Sequence, residues 1–298
     1  MTTHVEIEIA DQPACWRRAA QLAAANEVAG LPERGERVAV VGCGTSLFVA
    51  RAYARLREDA GHGETDAFPA SELPVGRRYD RMVALSRSGT TTEVLELLDR
   101  SRGTVAATAV TADQATPVVS AADQAIVLDF ANERSVVQTR FATTALALFR
   151  AHLGEDLTGP ISDAERAVHE PLPAEVADRT QFTFLGSGWT VGLADEAALK
   201  MREASLSWSE SYPGMEYRHG PIAITGAGSV VWMFGRAPAG LAGEVAATGG
   251  LWVHQDLDPV ASLITVQRLA VARGIARGLD PDVPRHLSRS VILRSASV

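Results

Sequence analysis

"VAVVGCGTSLFVARAYARLRE", residues 38–58, and "FTFLGSGWTVGLADEAALKMRE", residues 182–203, are two versions of one pattern. Each has an apolar strand, a G-x-G turn, a Thr and a helix closing on Arg-Glu, and the lengths differ by one residue. A lone G-x-G carries little information. The matched pair carries more, and it predicts an internal duplication of one α/β unit.

The rest of the chain arranges itself around these two anchors. "RVAVVGCGTS" (37–46) reads as a buried strand running into a Gly-rich turn, with a helix over 47–57. "RMVALSRSGTT" (81–91) repeats strand and turn, with a helix over 93–101. "TVAATAVTA" (104–112) and "AIVLDF" (125–130) are two more short, β-branched apolar strands. Continuous apolar strands separated by helices predict a parallel sheet covered on both faces. The stretch 154–180, with Pro160, Pro171, Pro173 and many charges, reads as a linker with a helix inside it. In the second copy "SVVWMF" (229–234) and "GGLWVHQDLD" (249–258) precede a helix over 262–279, so that copy is expected to be one strand–helix step shorter. The expected organisation is a helical segment over 1–30, a first unit over 31–155, a linker over 156–178, and a second unit with a tail over 179–298.

The turn at 84–97, "ALSRSGTTTEVLEL", is the chemically unusual one. Five of the seven residues from Ser86 to Thr92 are Ser or Thr. A helix cap needs one hydroxyl; the surplus asks for a ligand rich in acceptor oxygens. In parallel α/β sheets ligands sit beyond the C-terminal strand ends, where backbone N–H groups and the helix dipole favour an anion. Hydroxyls on Thr45, Ser46, Ser86, Ser88 and Thr91 would complete a phosphate cradle there. The P-loop pattern is absent, which argues against nucleotide hydrolysis, and "GCGTSLF" lacks the third Gly of a dinucleotide turn.

Composition narrows the field further. A net charge of −8 argues against a nucleic-acid surface. No apolar run is long enough to span a membrane, and "MTTHVEIEIADQP" has no signal-peptide core. Two cysteines, Cys15 and Cys43, suit a reducing compartment, so a cytoplasmic protein is expected. His254 and Asp256 have no third ligand at suitable spacing, so no metal is expected, and no cofactor. Cys43 has no evident His partner for nucleophilic work. The scattered tryptophans 189, 208, 232 and 252 read as core or interface. Lys200 is the only lysine among 28 basic residues. If coding bias replaced Lys by Arg wherever either served, the survivor marks a place that needs a compact ammonium.

"GCGTS", "SRSGTTTE" and "ALKMREASLSWSESYPGMEYRHGPIAI", together with the tail "DPDVPRHLSRSV", resemble the tandem sugar isomerase (SIS) family. The likeness is to the isomerase half of glutamine–fructose-6-phosphate amidotransferase and to related sugar-phosphate isomerases and deaminases. It implies two flavodoxin-like domains, a bound sugar phosphate, and a homodimer, or dimer of dimers, with composite sites. Ser46, Ser86, Ser88 and Thr91 fall where the family holds phosphate. Thr45, Arg87 and Val136 fall where it touches the sugar, Arg87 replacing a commoner Gln. Glu203 falls on the glutamate that moves a proton between C1 and C2, with Lys200 on its helical face. His219 falls on the histidine that opens the sugar ring, reaching in from the neighbouring subunit. Arg289 stands where amidotransferase-type isomerases carry Lys.

Aldose–ketose isomerisation needs a carboxylate base and positive charge beside the developing enediolate. Lys200 and Arg289 are the candidates for that charge; Arg289 cannot deprotonate, which rules it out as a base or imine former. An i,i+3 Lys–Glu pair is by itself usually a solvated face, and a His before Gly-Pro a turn residue. Motif context favours function at Glu203 and His219, while at Arg289 both readings stand. The leading expectation is an isomerase or isomerising deaminase acting on a hexose or amino-hexose 6-phosphate. The alternative is a non-catalytic sugar-phosphate sensor. A glutamine-dependent synthase is disfavoured, since Thr2 stands where that class needs an N-terminal Cys.

Overall fold

The computed structural model describes residues 2–25 and 27–293; the end of the expected second unit, 294–298, lies outside the described residues. Two helices open the chain, α1 (His4–Ala10) and α2 (Gln12–Ala24). Thr3 and Glu6 form a reciprocal capping box at the start of α1. Then come β1 (Val38–Gly42), α3 (Thr45–Asp59), β2 (Thr65–Pro69), β3 (Arg81–Leu85), α4 (Thr92–Ser101), β4 (Ala106–Thr111), α5 (Pro117–Ala121) and β5 (Gln124–Val127). Helices α6 (Arg140–His152) and α7 (Thr158–His169) lead to β6 (Gln181–Gly186), α8 (Val191–Ser205), β7 (Trp208–Pro213), β8 (Ser229–Phe234), α9 (Leu241–Ala247), β9 (Leu251–His254) and α10 (Pro259–Ala276).

The strands form two sheets, β2-β1-β3-β4-β5 and β7-β6-β8-β9. Every pairing is parallel; β1 lies between β2 and β3 in the register Val38↔Thr65 and Val38↔Arg81, and β6 repeats this with Gln181↔Trp208 and Gln181↔Ser229. The first order is the doubly wound 2-1-3-4-5, with its crevice between the C-terminal ends of β1 and β3. The second follows the same path and stops one strand short.

Sequence reading omitted β2 and β7, and the reason is physical. Both are edge strands paired on one side, with the half-exposed sequences TDAFP and WSESYP. Edge strands need neither continuous apolar content nor a full set of N–H donors, so the central-strand signal is missing. The central strands are different: all five residues of β1 are buried.

The two sheets share one apolar core, which runs from Val38, Val40 and Tyr53 through Phe141 and Phe149 to Phe184, Trp232 and Leu263. Tyr53 of α3 stacks on Phe149 of α6 with ring centroids 4.1 Å apart. Helices α3 and α8, the first helix of each copy, pack directly on each other. Gly192 makes this approach possible, since a Cβ there would lie 2.4 Å from the Phe48 carbonyl oxygen. That contact brings one face of α8 against the β1–α3 turn, which positions the site. No helix among the described residues is long and apolar enough to cross a membrane.

Candidate active site

The crevice beyond β1 and β3 holds a cavity of about 260 Å³. Its floor is the pair of strand-to-helix turns. Gly42 is required in the first, because a Cβ there would meet Ser46 at 2.8 Å. Gly44 has a φ of 55° and starts α3, presenting buried Thr45 and Ser46 to the cavity. In the second turn Gly89 has a φ of 63°, and a Cβ would clash with Thr116. Ser86 Oγ accepts from Gly89 N–H at 3.1 Å and Ser88 Oγ from Thr90 N–H at 3.4 Å. Thr91 occupies the N-cap of α4, yet its side chain makes no capping bond. Its hydroxyl lies instead 3.4 Å from the hydroxyls of Ser88 and of Ser290. Ser46, Ser86, Ser88 and Thr91 therefore line one cavity at two helix N-termini, an arrangement suited to an anion.

The duplicated turn in the second sheet offers a built-in comparison. There Ser187 Oγ donates to Arg236 O at 2.8 Å, and Thr190 Oγ1 donates to Phe234 O at 2.8 Å while accepting from Ser187 N–H. Its hydroxyls are spent on its own backbone. The corresponding turn is thus a closed structural corner in the second sheet and part of an open hydroxyl floor in the first.

Helix α8 supplies the cavity's charged wall. Lys200 is 1% exposed; its Nζ donates to Thr45 Oγ1 at 3.0 Å and to Glu203 Oε2 at 2.5 Å, and lies 3.4 Å from Glu196 Oε1. The Lys–Glu spacing thus marks a buried pair rather than a solvated helix face. Glu203, with its side chain 18% exposed, lines the cavity. Glu196 is the residue that sequence reading missed. It is fully buried, and its carboxylate oxygens have no hydrogen-bond partner among the described residues. The i, i+4, i+7 spacing of Glu196, Lys200 and Glu203 on one face was the available signal. Burial pushes the Glu196 carboxyl up to about 7, with the nearby Glu203 charge adding to the rise and the Lys200 ammonium opposing it. At Lys200 burial acts downward, but Glu196 and Glu203 outweigh it and raise the pKa, so the ammonium stays charged.

Two arginines that sequence reading placed at the sugar serve a different geometry. Arg87 and Glu133 are both buried and 3.5 Å apart. The Arg87 guanidinium donates to Ser135 O at 3.0 Å, to Val136 O at 3.3 Å and to Arg289 O at 3.0 Å. Arg289 in turn donates to Asn132 Oδ1 at 2.6 Å and to the Glu133 carbonyl. Burial, with Arg87 beside it, holds the Arg289 pKa below the ordinary arginine range. These donors clamp the C-terminal segment onto the loop before α6, with Val291 O accepting from Thr92 N–H at 3.2 Å. Both arginines line the cavity with terminal N–H groups bonded to its walls, while Arg87 Nε is buried with no acceptor among the described residues. Lys200 does not itself line the cavity and reaches it through Glu203 and Thr45, both of which do. Val136 lines the cavity through the same loop, its N–H donating to Asp282 O at 2.9 Å.

His219 is not brought together with the others. It sits exposed at the end of a single helical turn, Glu216–His219, outside this cavity. Its neighbour Arg218 is paired with Glu244 at 2.8 Å. Met215 and Ile224, on either side of His219 in sequence, are 54% and 56% exposed. Cys43 also lines the cavity, and burial raises its thiol pKa, which keeps it protonated and a poor nucleophile.

No family model matches the chain. The chain is 27% identical, over 89% of its length, to glutamine–fructose-6-phosphate aminotransferase (isomerizing) of Haemophilus influenzae, covering 53% of that protein. The corresponding Thermus thermophilus protein gives 27% identity over 87% of the chain and 52% of its own length. The chain therefore spans about half the length of the curated relatives it matches. Among solved structures, glucosamine-6-phosphate deaminase from Thermotoga maritima superposes with a TM-score of 0.81 at 25% identity, covering 98% of this chain and 100% of that one. Tagatose-6-phosphate ketose/aldose isomerase from Escherichia coli gives a TM-score of 0.77 at 18% identity over 99% and 98%, a likeness of fold.

Proposed function

We propose that the protein binds a hexose or amino-hexose 6-phosphate and catalyses aldose–ketose proton transfer, as an isomerase or isomerising deaminase. The observation that carries this reading is a single cavity joining the open hydroxyl floor of the first sheet to Glu203 of the second, whose carboxylate the buried Lys200 holds from behind. The names of the relatives and of the solved structures, each a sugar-phosphate protein, support it. The two sheets correspond in this reading to two SIS units, first and second copies of one fold.

In the proposed reaction the phosphate takes N–H and O–H donors from Ser46, Ser86, Ser88 and Thr91. The open-chain sugar then extends toward α8. The Glu203 carboxylate removes the C2 proton of the aldose and the electron pair moves onto the C1 carbonyl oxygen to give an enediolate; the O2 hydroxyl proton passes to O1, and as the O2 electron pair forms the C2 carbonyl, C1 takes the proton back from Glu203. Lys200 holds the Glu203 carboxylate in place, with Thr45 as its second anchor, and supplies the charge that offsets the enediolate. Ring opening falls to His219 of the partner subunit in a homodimer, and the exposed Met215 and Ile224 beside His219 support a covered, intersubunit placement. One observation favours the sensor alternative: within one chain the cavity holds no histidine to open the ring.

A thermal-shift panel of hexose and amino-hexose 6-phosphates, followed by turnover of the hits, tests both. Stabilisation with interconversion supports the isomerase; stabilisation without turnover by the assembled protein selects the sensor; no stabilisation by any sugar phosphate removes both.

A further inference from the structure

The loop from Asn132 to Thr139, between β5 and α6, forms one wall of the cavity and is fixed from every side. Glu133 Oε1 accepts from Thr139 N–H, from Thr139 Oγ1 at 3.1 Å and from Arg140 N–H at 2.8 Å. Ser135 Oγ donates to Val137 O at 2.7 Å and reaches Glu8. Arg87 and Arg289 hold the loop's carbonyls, as described above. So rigid a loop does not readily rearrange to satisfy a stray polar group, and its buried polar side chains Glu133, Ser135 and Thr139 are all matched.

Gln138 breaks the rule. Its side chain lines the cavity, and its Nε2 is buried with no acceptor among the described residues. A buried amide donor left unpaired in an otherwise satisfied loop costs stability, and unlike the orphaned groups of the core, such as Tyr53 Oη and Gln267 Nε2, this one belongs to a residue lining the cavity, where a ligand can complete it. The hydroxyl turns already supply donors for the phosphate, and Lys200 and Glu203 supply the groups for the reacting carbons. An extra N–H donor on this wall has the sugar's remaining oxygens as its natural acceptors.

We propose that Gln138 is a specificity-determining residue of the site: its Nε2 donates to a hydroxyl oxygen of the sugar portion, not to the phosphate. This rests on the sugar-phosphate reading of the cavity. Because the loop cannot shift, the donor's position is fixed, and epimers that differ in where they present that hydroxyl are distinguished by it. Sequence reading passed over Gln138, since a glutamine in a loop carries no motif; the signal lies in its unmatched burial.

The test compares wild type with Gln138→Leu and Gln138→Glu by calorimetric titration against a panel of epimeric hexose 6-phosphates, with inorganic phosphate as the second probe. Gln138→Leu is expected to weaken the preferred sugar phosphate by roughly tenfold and to narrow the spread among epimers. Its affinity for inorganic phosphate should be unchanged, and its ligand-free melting temperature equal to or above that of wild type, since an orphan donor has been removed. Gln138→Glu, which turns the donor into an anionic acceptor, should lose at least as much sugar affinity. Equal loss for sugar phosphate and inorganic phosphate, or an unaltered ranking of epimers in both variants, overturns the role of Gln138 while leaving the cavity's ligand class intact. A wild type that binds no sugar phosphate in the panel overturns the cavity reading, and this role with it.

Discussion

Lys200 was conspicuous in the sequence as a solitary lysine, and its surroundings explain why an arginine would not serve. The ammonium is enclosed, donating to Thr45 and Glu203 with Glu196 3.4 Å away. A planar guanidinium is larger and forks its donors, so it cannot replace that compact point of charge without displacing Glu203. Lys200→Arg is accordingly expected to lower kcat by about tenfold or more while sugar-phosphate affinity, set by the hydroxyl floor, changes far less. A variant with wild-type kcat would show the residue to be a relic. What the sequence could not reveal was burial: the i,i+3 and i,i+4 spacings of Glu203 and Glu196 from Lys200 are the same on a wet face and a dry one. That burial has a measurable consequence. A carboxyl whose pKa is raised on folding holds its proton more tightly in the folded chain than in the unfolded one. Its stabilising contribution is full below the ordinary carboxylate pKa and is lost as pH rises through about 7. Across that window Glu196 should lower stability by roughly 1.4 kcal/mol per pH unit. Urea unfolding of wild type and Glu196→Gln between about pH 5 and about pH 8 checks this. The variant should show a flatter profile; parallel profiles would mean Glu196 is ionised throughout.

At the scale of the element, the two copies of the strand–turn–helix unit make the functional argument by contrast. Their sequences predicted one shape for both turns, and the second differs by a single 3-10 turn, Gly188–Thr190, ahead of its helix. The difference in use comes from which partners lie nearby: Phe234 O and Arg236 O consume the hydroxyls of the second turn, whereas in the first Thr45 meets Lys200 and both Thr45 and Ser46 line the cavity. No sequence pattern encodes that difference, because it depends on long-range placement. The central strands and the edge strands β5 and β9 were legible from apolar runs; the edge strands β2 and β7 were not, because TDAFP and WSESYP contain no such run, and helices α5, α6 and α9 were not read. The hydroxyl floor predicts a selective defect. With each hydroxyl-to-anion bond contributing roughly 1.5–3 kcal/mol, the double variant Ser86→Ala, Ser88→Ala should bind a sugar 6-phosphate about two orders of magnitude more weakly, at about 1.4 kcal/mol per decade. The ligand-free fold should lose much less, since the hydroxyls' bonds within the turn are long or local. Titration with paired phosphorylated and unphosphorylated sugars reads the effect; equal wild-type affinity for both forms would remove the phosphate from the argument.

The whole molecule brings the two sheets together through α3 and α8, so that the hydroxyl floor comes from the first sheet's turns and Glu203 from the helix after β6. In the proposed reaction neither sheet alone supplies every group. The same logic extends one level further at His219, whose segment projects from the second sheet with Met215 and Ile224 exposed around it. A proposed two-fold assembly would set that segment over the partner's cavity, and complementation tests this directly. Glu203→Gln and His219→Asn should each be inactive as homodimers. In a mixed dimer one site pairs the intact Glu203 of the second variant with the intact His219 of the first, while the other site carries both lesions. Random reassociation of equal amounts gives half mixed dimers, each with one working site, so activity should recover to about one quarter of wild type. The recovery should scale with the fraction of mixed dimers, measured by differential tagging of the two variants. Mixed dimers confirmed in that way but devoid of activity would place His219 outside the reaction, and the cavity would have to open the ring with groups of its own chain.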